Sequence, residues 1–374
     1  MIGAWESYRL RLKRRGLLLR ALRRRGELTR VTKRKPAIRP GAILAFATIR
    51  NEAARLPHFL AHYRRLGVDH FLIVDNASDD GGADLLADQL DVTLWRTAAS
   101  YRTARFGMDW LNWLLLRYGA GHWCLTVDAD ELLVYPDCDS RPLPALTAWL
   151  DRQGHAALAA LMLDLYPRGP LSQADAGPAA APGGDPADSL GWFDAEGYVW
   201  QRQPRYRNIS IRGGVRERVF FADRPEHGPH LHKTPLVRWR RPYAYLSSTH
   251  ILLPRRLNDG FDARQARPTG VLLHSKFLPV VIAKSAEEKR RREHFTHAER
   301  YDDYYDAIIA DPALWSAQSQ RYEDWRQLEG LELMRRGDWG ERPVYAPSQP
   351  RYPAPADPET GPRDGGGAGR SSRR

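Results

Sequence analysis

Apolar and polar positions alternate along the first 130 residues in blocks. Residues 42–49 form a nearly continuous apolar run that ends in Arg50, Asn51 and Glu52. Beyond it, Leu56, Phe59, Leu60, Tyr63 and Leu66 recur at helical spacing, and Gly67 closes that helix. A second run, residues 70–74, ends in Asp75, Asn76, Ser78, Asp79 and Asp80. A short strand over 92–95, a helix over about 103–118 and a third apolar run from Trp123 follow. Strands alternating with helices predict an α/β fold, a sandwich built on a mostly parallel sheet. Polar residues just beyond successive strands predict a ligand crevice at the strands' carboxyl ends.

The third run breaks into Asp128, Ala129, Asp130 and Glu131. A strand's alternation sends Asp128 and Asp130 to the same side, where their oxygens can share one Mg2+ or Mn2+ that keeps positions open for substrate phosphates. In the second half, residues 157–166 read as a strand carrying Asp164. A buried carboxylate is costly unless paired or used, so Asp164 is either ion-paired or part of the site. Residues 213–221 place Glu217 between Arg216 and Arg218; read as a strand, this is a salt-bridge ladder or the place of a general base. A late run at 271–277 is interrupted in alternate register by His274 and Lys276. These suit a further metal ligand and a point charge for a leaving group; His250 is a second candidate of the same kind. His227, His230 and His232 fit a polar loop bordering a ligand pocket better than a zinc site, because Pro and Gly break the segment and no Cys is near. Trp192, Trp200, Tyr206 and Trp239 are candidates to stack on a ligand ring.

Residues 48–52, 74–81 and 127–131, at these intervals, resemble the nucleotide-sugar half of a GT-A glycosyltransferase of the family 2 type. The stretches 104–112 and 213–220 resemble its bacterial branch. The resemblance runs from about residue 40 to about 305. It implies a GT-A fold, a nucleotide-diphosphate sugar donor (UDP-linked), inversion at the anomeric carbon, and a glycan or glycolipid acceptor in cell-envelope polysaccharide synthesis. Carried over residue by residue, it implies base and ribose contacts from Asn51, Glu52, Asp75, Asp79 and Arg105, and a divalent cation on Asp128 and Asp130. A carboxylate then serves as the base, with Glu217 the first choice and Asp164 the second; the Glu-Asp pair usual in the family is missing here. Two other functions stay open. A nucleotidyltransferase-like enzyme would call for a glycine-rich loop near the first strand, which residues 47–51 lack. A non-catalytic nucleotide-sugar or glycan-binding protein would be favoured by loss of either Asp of the pair, and both are present.

Composition adds where to look for partners. The net charge is +12, but residues 1–35 hold 13 Lys or Arg against 2 acidic residues, and residues 36–345 have a net charge of −1. The catalytic body is therefore not basic, which argues against nucleic acid. Residues 9–25 interleave Leu with clustered Arg, the pattern of an interfacial membrane helix or of a basic start with no specific partner. Two cysteines are too few for a disulfide framework and fit a reduced compartment, so a cytoplasmic protein is expected, peripheral on the inner membrane face if the helix binds lipid. The expected organisation is a basic segment over 1–38, a donor half over 39–165, a flexible loop over 166–190, an acceptor half over 191–310, a helical extension over 311–346 and a disordered tail over 347–374.

Overall fold

The computed structural model describes residues 3–34, 36–174, 184–264, 266–291 and 302–340, all within one compact unit. In chain order the elements are α1 (Ala4–Arg24), β1 (Thr29–Arg30), β2 (Ile43–Ile49), α2 (Leu56–Arg65), β3 (His70–Asp75), α3 (Gly82–Ala87), β4 (Val92–Arg96), α4 (Met108–Leu114) and β5 (Trp123–Thr126). They continue with β6 (Glu131–Val134), α5 (Leu143–Arg152), β7 (Ala157–Asp164), α6 (Pro186–Leu190), β8 (Trp192–Asp194), β9 (Tyr198–Gln203), β10 (Asn208–Gly213) and α7 (Gly214–Phe220). The last are β11 (His232–Arg238), β12 (Ala244–Ser247), β13 (Ile251–Leu253), β14 (Gly270–His274), α8 (Val280–Arg291), α9 (Asp302–Ile309), β15 (Ser319–Arg321) and α10 (Trp325–Gly330).

A nine-stranded sheet runs in the order β1-β4-β3-β2-β5-β11-β7-β14-β6. Its pairings make β4, β3, β2, β5, β7 and β14 co-directional, while β1, β11 and β6 run against them. The mostly parallel α/β sheet read from the sequence is therefore present. Both faces are covered, which is why the strands read as continuous apolar runs. Ile43, Ala45, Ala47 and Ile49 pack with Phe59, Tyr63 and Trp149 on one side, while Leu44, Phe46, Leu72 and Val74 pack with Trp110, Leu111 and Tyr245 on the other. A third cluster, including Leu161, Leu163, Phe193, Val215 and Leu273, builds the core of the second half. The helix α2 begins with Pro in its first turn and ends at Gly67, whose φ of +94° lets Val68 N donate to Tyr63 O.

Several elements differ from the sequence reading. The helix expected over 103–118 starts only at Met108, because Arg105, Phe106 and Gly107 all adopt positive φ; it then loosens into a π-turn over Leu115–Gly119. Residues 213–220 are not a strand continued: β10 stops at Gly213 and α7 begins at once. The segment leading to His232 is not all loop, since His232 opens β11 in the centre of the sheet. The loop expected over 166–190 contains a short 3-10 turn at Leu171–Gln173 and α6, and its residues 175–183 lie outside the described residues, as does the tail from 347.

The basic helix is not free. Its buried Leu10 and Leu17 pack with Ala244 and Leu253, and Ala21 is also buried. Arg20 donates to Asp109 Oδ2 at 2.8 and 3.1 Å and to Thr103 O at 3.1 Å, tying α1 to α4. Among the described residues, no helix is long and apolar enough to cross a membrane.

Candidate functional site

Strand polarity collects the chemistry. The six co-directional strands end together, so Asp75, Asp128, Asp164 and His274 come to one edge of the sheet. The antiparallel strands β6 and β11 begin there and bring Glu131 and Lys233. The register sets His274 beside Asp164 on one side and beside Glu131 on the other.

His274 is the hinge of the site. Its Nδ1 donates to Asp164 Oδ1 at 2.6 Å, and its Nε2 lies 3.2 Å from Asp130 Oδ2. Arg216 Nε donates to the other Asp164 oxygen at 2.7 Å, completing a line Asp130–His274–Asp164–Arg216. Burial alone would push protons off His274, but the two carboxylates outweigh it and hold the imidazole above its ordinary pKa. Burial likewise opposes the charge on Asp164, yet Arg216 and His274 keep it below the usual carboxylate range. Asp130 is held well below that range against its burial, by His274 first and then by Arg55 and Lys276. The backbone carbonyl of Asp130 is fixed by Ser275, which donates from N at 2.8 Å and from Oγ at 3.2 Å.

A second group sits beside the first. Lys233, 3% exposed, pairs with Glu131 and lies 3.2 Å from Asp128 Oδ2. Burial works against its charge, but Glu131 and Asp128 raise its pKa above the ordinary lysine value. The sequence did not single out Lys233, because residues 233–238 follow a segment that reads as loop and were assigned no strand. Lys276 is driven the other way: burial and then Arg216 lower its pKa, partly offset by Asp130 and Asp164.

The remaining candidates take up local roles. Asn51, at φ +51°, accepts from Asp79 N at 3.0 Å and donates its own N–H to Ser78 Oγ at 3.0 Å, joining the tips of β2 and β3. Asp75 is fully buried, accepts from Ser78 N at 3.1 Å and has Arg96 Nε 3.2 Å from its Oδ2. Glu52 bonds Arg55 at 2.6 Å and Lys284 at 2.5 Å. Arg105 donates to the Leu246 carbonyl and lies 3.5 Å from Asp109 Oδ1. Glu217 is on α7, one residue past Arg216, and lines a cleft of about 200 Å³ with Gln201, Ser210, Arg212 and Glu226. Its Oε2 is buried with no hydrogen-bond partner among the described residues.

His230, His232 and His250 come within 5.3 to 6.4 Å of one another, ring centre to ring centre. Both nitrogens of His232 are engaged, by Asn208 Nδ2 at 3.0 Å and Ile211 N at 3.4 Å, so the trio is hydrogen-bonded structure. Two of the proposed stacking platforms are otherwise used. Trp239 is 1% exposed within the core, and Tyr206 packs against the cluster that receives α1.

Asp130 and His274 offer donors to a divalent cation. The 3.2 Å between Asp130 Oδ2 and His274 Nε2 suits neighbouring donors on one ion, and an imidazole whose Nδ1 is held by a carboxylate is how ligating histidines are oriented. Asp128, with 47% of its side chain exposed, is turned toward Lys233 instead. Among the described residues, no group of three or more His, Cys, Asp or Glu converges as a metal cluster. Asp130 and His274 are thus close enough to share an ion once the His274 ring gives up a proton, whereas Asp128 is turned to Lys233.

No family model matches the chain, and no curated protein matches it. Among solved structures, it is similar to a mannosyltransferase from Pyrobaculum calidifontis in complex with GDP-Man and Mn2+, at 23% identity over 42% of this chain and 46% of that one, with a TM-score of 0.25. The chain thus spans less than half of that protein, and a likeness at this level bears no weight for the site.

Proposed function

We propose that this chain is a metal-dependent inverting glycosyltransferase, moving a sugar from a nucleotide-diphosphate donor to a hydroxyl of a glycan or glycolipid. The observation that carries this reading is the strand exit Asp128-Ala129-Asp130 at the carboxyl edge of six co-directional strands, with His274 held by Asp164 against Asp130. A Mn2+ or Mg2+ ion on Asp130, His274 and Asp128 would supply charge stabilisation for the departing diphosphate. The chain's own groups do the rest. Asp164 fixes the ring of His274, Arg216 keeps Asp164 ionised, and Lys276 offers a cation beside the same carboxylates. Asn51 and Asp79, joined at neighbouring strand tips, are placed for the nucleoside, with the buried Asp75 holding the β3 tip through Ser78.

Glu217 supports the base role because a carboxylate oxygen without a partner, in a cleft, is free to take a proton. In the reaction the acceptor oxygen bonds to the anomeric carbon as the bond to the diphosphate breaks, and the acceptor's proton passes to the Glu217 carboxylate. The test is calorimetric titration with UDP and with GDP, with and without Mn2+, on wild type and Asp130→Ala. Metal-dependent binding of one nucleotide, lost in the variant, supports the donor site and selects the sugar nucleotides for turnover assays. No binding of either nucleotide under any metal condition would end the proposal.

A further inference from the structure

The sequence leaves open whether the basic N-terminal segment meets lipid or nothing, and its docking onto the domain changes that question. Leu10, Leu17 and Ala21 point inward, so the leucines of residues 9–25 are not all available to a partner. What remains outside is a different set. Trp5, Tyr8, Leu12, Leu19 and Leu22 are 37 to 70% exposed, five of the eleven exposed large apolar side chains among the described residues. At 100° per residue they fall in one stripe, about half a turn from the docked face. A contiguous apolar stripe left facing water marks an interaction site.

The flanks of the stripe say which partner. Arg9, Arg11, Arg15 and Arg23 are exposed along it, and among the described residues no carboxylate pairs with Arg11, Arg15 or Arg23. Among the described residues, the acid paired with Arg9 is Glu6 at 3.8 Å, and Glu6 is shared with Arg205 at 2.9 Å. Arg14, half-buried behind the stripe, has its pKa lowered by burial and then by Arg256, Arg11 and Arg15, so the cations repel one another and lack local neutralisation. Trp5 and Tyr8 stack at 6.0 Å at the start of the helix, the aromatic pair that favours a boundary between apolar and wet surroundings. An apolar stripe between rows of unneutralised arginine is complementary to an anionic bilayer surface, with side chains entering the headgroup boundary and guanidinium groups meeting lipid phosphate.

We infer that the outward face of α1, from Trp5 to Leu22, is an anionic-membrane docking surface carried as a rigid part of the domain. The helix is clamped to the turn before α4 through Arg20, with Asp109 and the Thr103 carbonyl as its partners. Docking would therefore orient the whole sheet on the bilayer, where a leash would leave it tumbling.

The experiment is co-sedimentation of the full-length protein with vesicles of phosphatidylcholine alone or mixed with phosphatidylglycerol. Wild type is expected to sediment with the anionic vesicles only and to be released by high salt. Combined Trp5→Ser, Leu12→Ser and Leu19→Ser, and separately Arg11→Glu with Arg15→Glu, are expected to weaken binding by at least about tenfold. These positions are exposed, so an unchanged thermal midpoint verifies folding. No sedimentation of wild type with anionic vesicles overturns the inference, as does equal binding to both vesicle types or undiminished binding by the serine variant. Sedimentation velocity supplies one more test: self-association abolished by the serine changes would show that a second copy covers the face. Nucleotide titration of the same variants is expected to match wild type, so failure here leaves the proposed donor chemistry standing.

Discussion

Asp164 shows how much one side chain holds. It is buried, with one oxygen on Arg216 and the other on His274. Asp164→Asn keeps the shape but removes the charge both cations face, and breaking a buried pair costs about 3 to 5 kcal/mol. It also frees the His274 ring, and loss of such an outer partner weakens metal affinity by about 10 to 100-fold. Urea denaturation and Mn2+ titration read the two effects separately; a variant as stable as wild type that bound Mn2+ equally well would remove Asp164 from both roles. His62 gives a pH signature away from the site. Burial, and then Arg65, lower its pKa from 6.5 to about 4, and its Nε2 is 3.0 Å from the Leu133 carbonyl. The unfolded chain takes up this proton near pH 6.5 and the folded chain only near 4, so the unfolded state binds more protons between those values. This contribution is complete above pH 6.5 and is lost as the pH falls toward 4, by about 3 kcal/mol at the lower end. Thermal midpoints across that window are expected to fall less steeply for His62→Gln than for wild type, and parallel curves would refute the assignment.

Gly213 is where an element boundary can be tested. Its φ is +116°, and an added Cβ would collide with the Gly197 carbonyl oxygen across the β9–β10 pair. Gly213→Ala is expected to cost at least about 2 kcal/mol and to displace α7, with Arg216 and Glu217 on it, so stability and nucleotide binding should fall together. A circular-dichroism melt beside the calorimetric titration checks this; loss of neither would show that the turn has another way to close. The same boundary shows what the sequence could express. Residues 42–49 and 70–74 were legible as strands because both their faces are buried, and Asp75 and Asp128 were legible as polar strand exits; Asp164 and His274 were read inside longer runs, whereas they end β7 and β14. The reading failed where a local rule was overridden. Pro235 argues against a central strand, yet β11 admits it at a register shift between Lys233 and Leu236, and with that strand the buried Lys233 was missed. The two valines and the phenylalanine of residues 214–220 fit strand and helix equally in so short a segment, so only the tertiary contact of Arg216 with Asp164 distinguishes them. Turns set by three consecutive positive φ angles at 105–107 left no mark beyond Gly107.

For the molecule as a whole, the decisive placement is that of α1, because it makes the basic N-terminal segment part of the α/β domain's fold. Arg20 lies on Asp109, which is fully buried on α4, and Glu27 just past the helix accepts from Trp110 Nε1 at 2.8 Å. Leu10 and Leu17 cover Ala244 and Leu253 of the β12–β13 pair. Removing residues 1–28 would uncover that apolar surface and leave Asp109 to Arg105, whose Nη1 stands 3.5 Å away. Fully burying one leucine is worth about 1.5 to 3 kcal/mol, so two leucines and the Asp109 pair make a loss of at least about 3 kcal/mol the expected result in urea denaturation. A disposable basic tail predicts the opposite, a truncated body as stable as the full chain. The charge distribution allows a control. The deleted segment carries most of the +12 net charge, so a purely electrostatic effect would shrink as salt is raised, whereas lost packing would not. A deficit in stability that persists at high salt therefore identifies α1 as structure. It would also mean that the arginines on its outer face are held in fixed positions on the protein's surface.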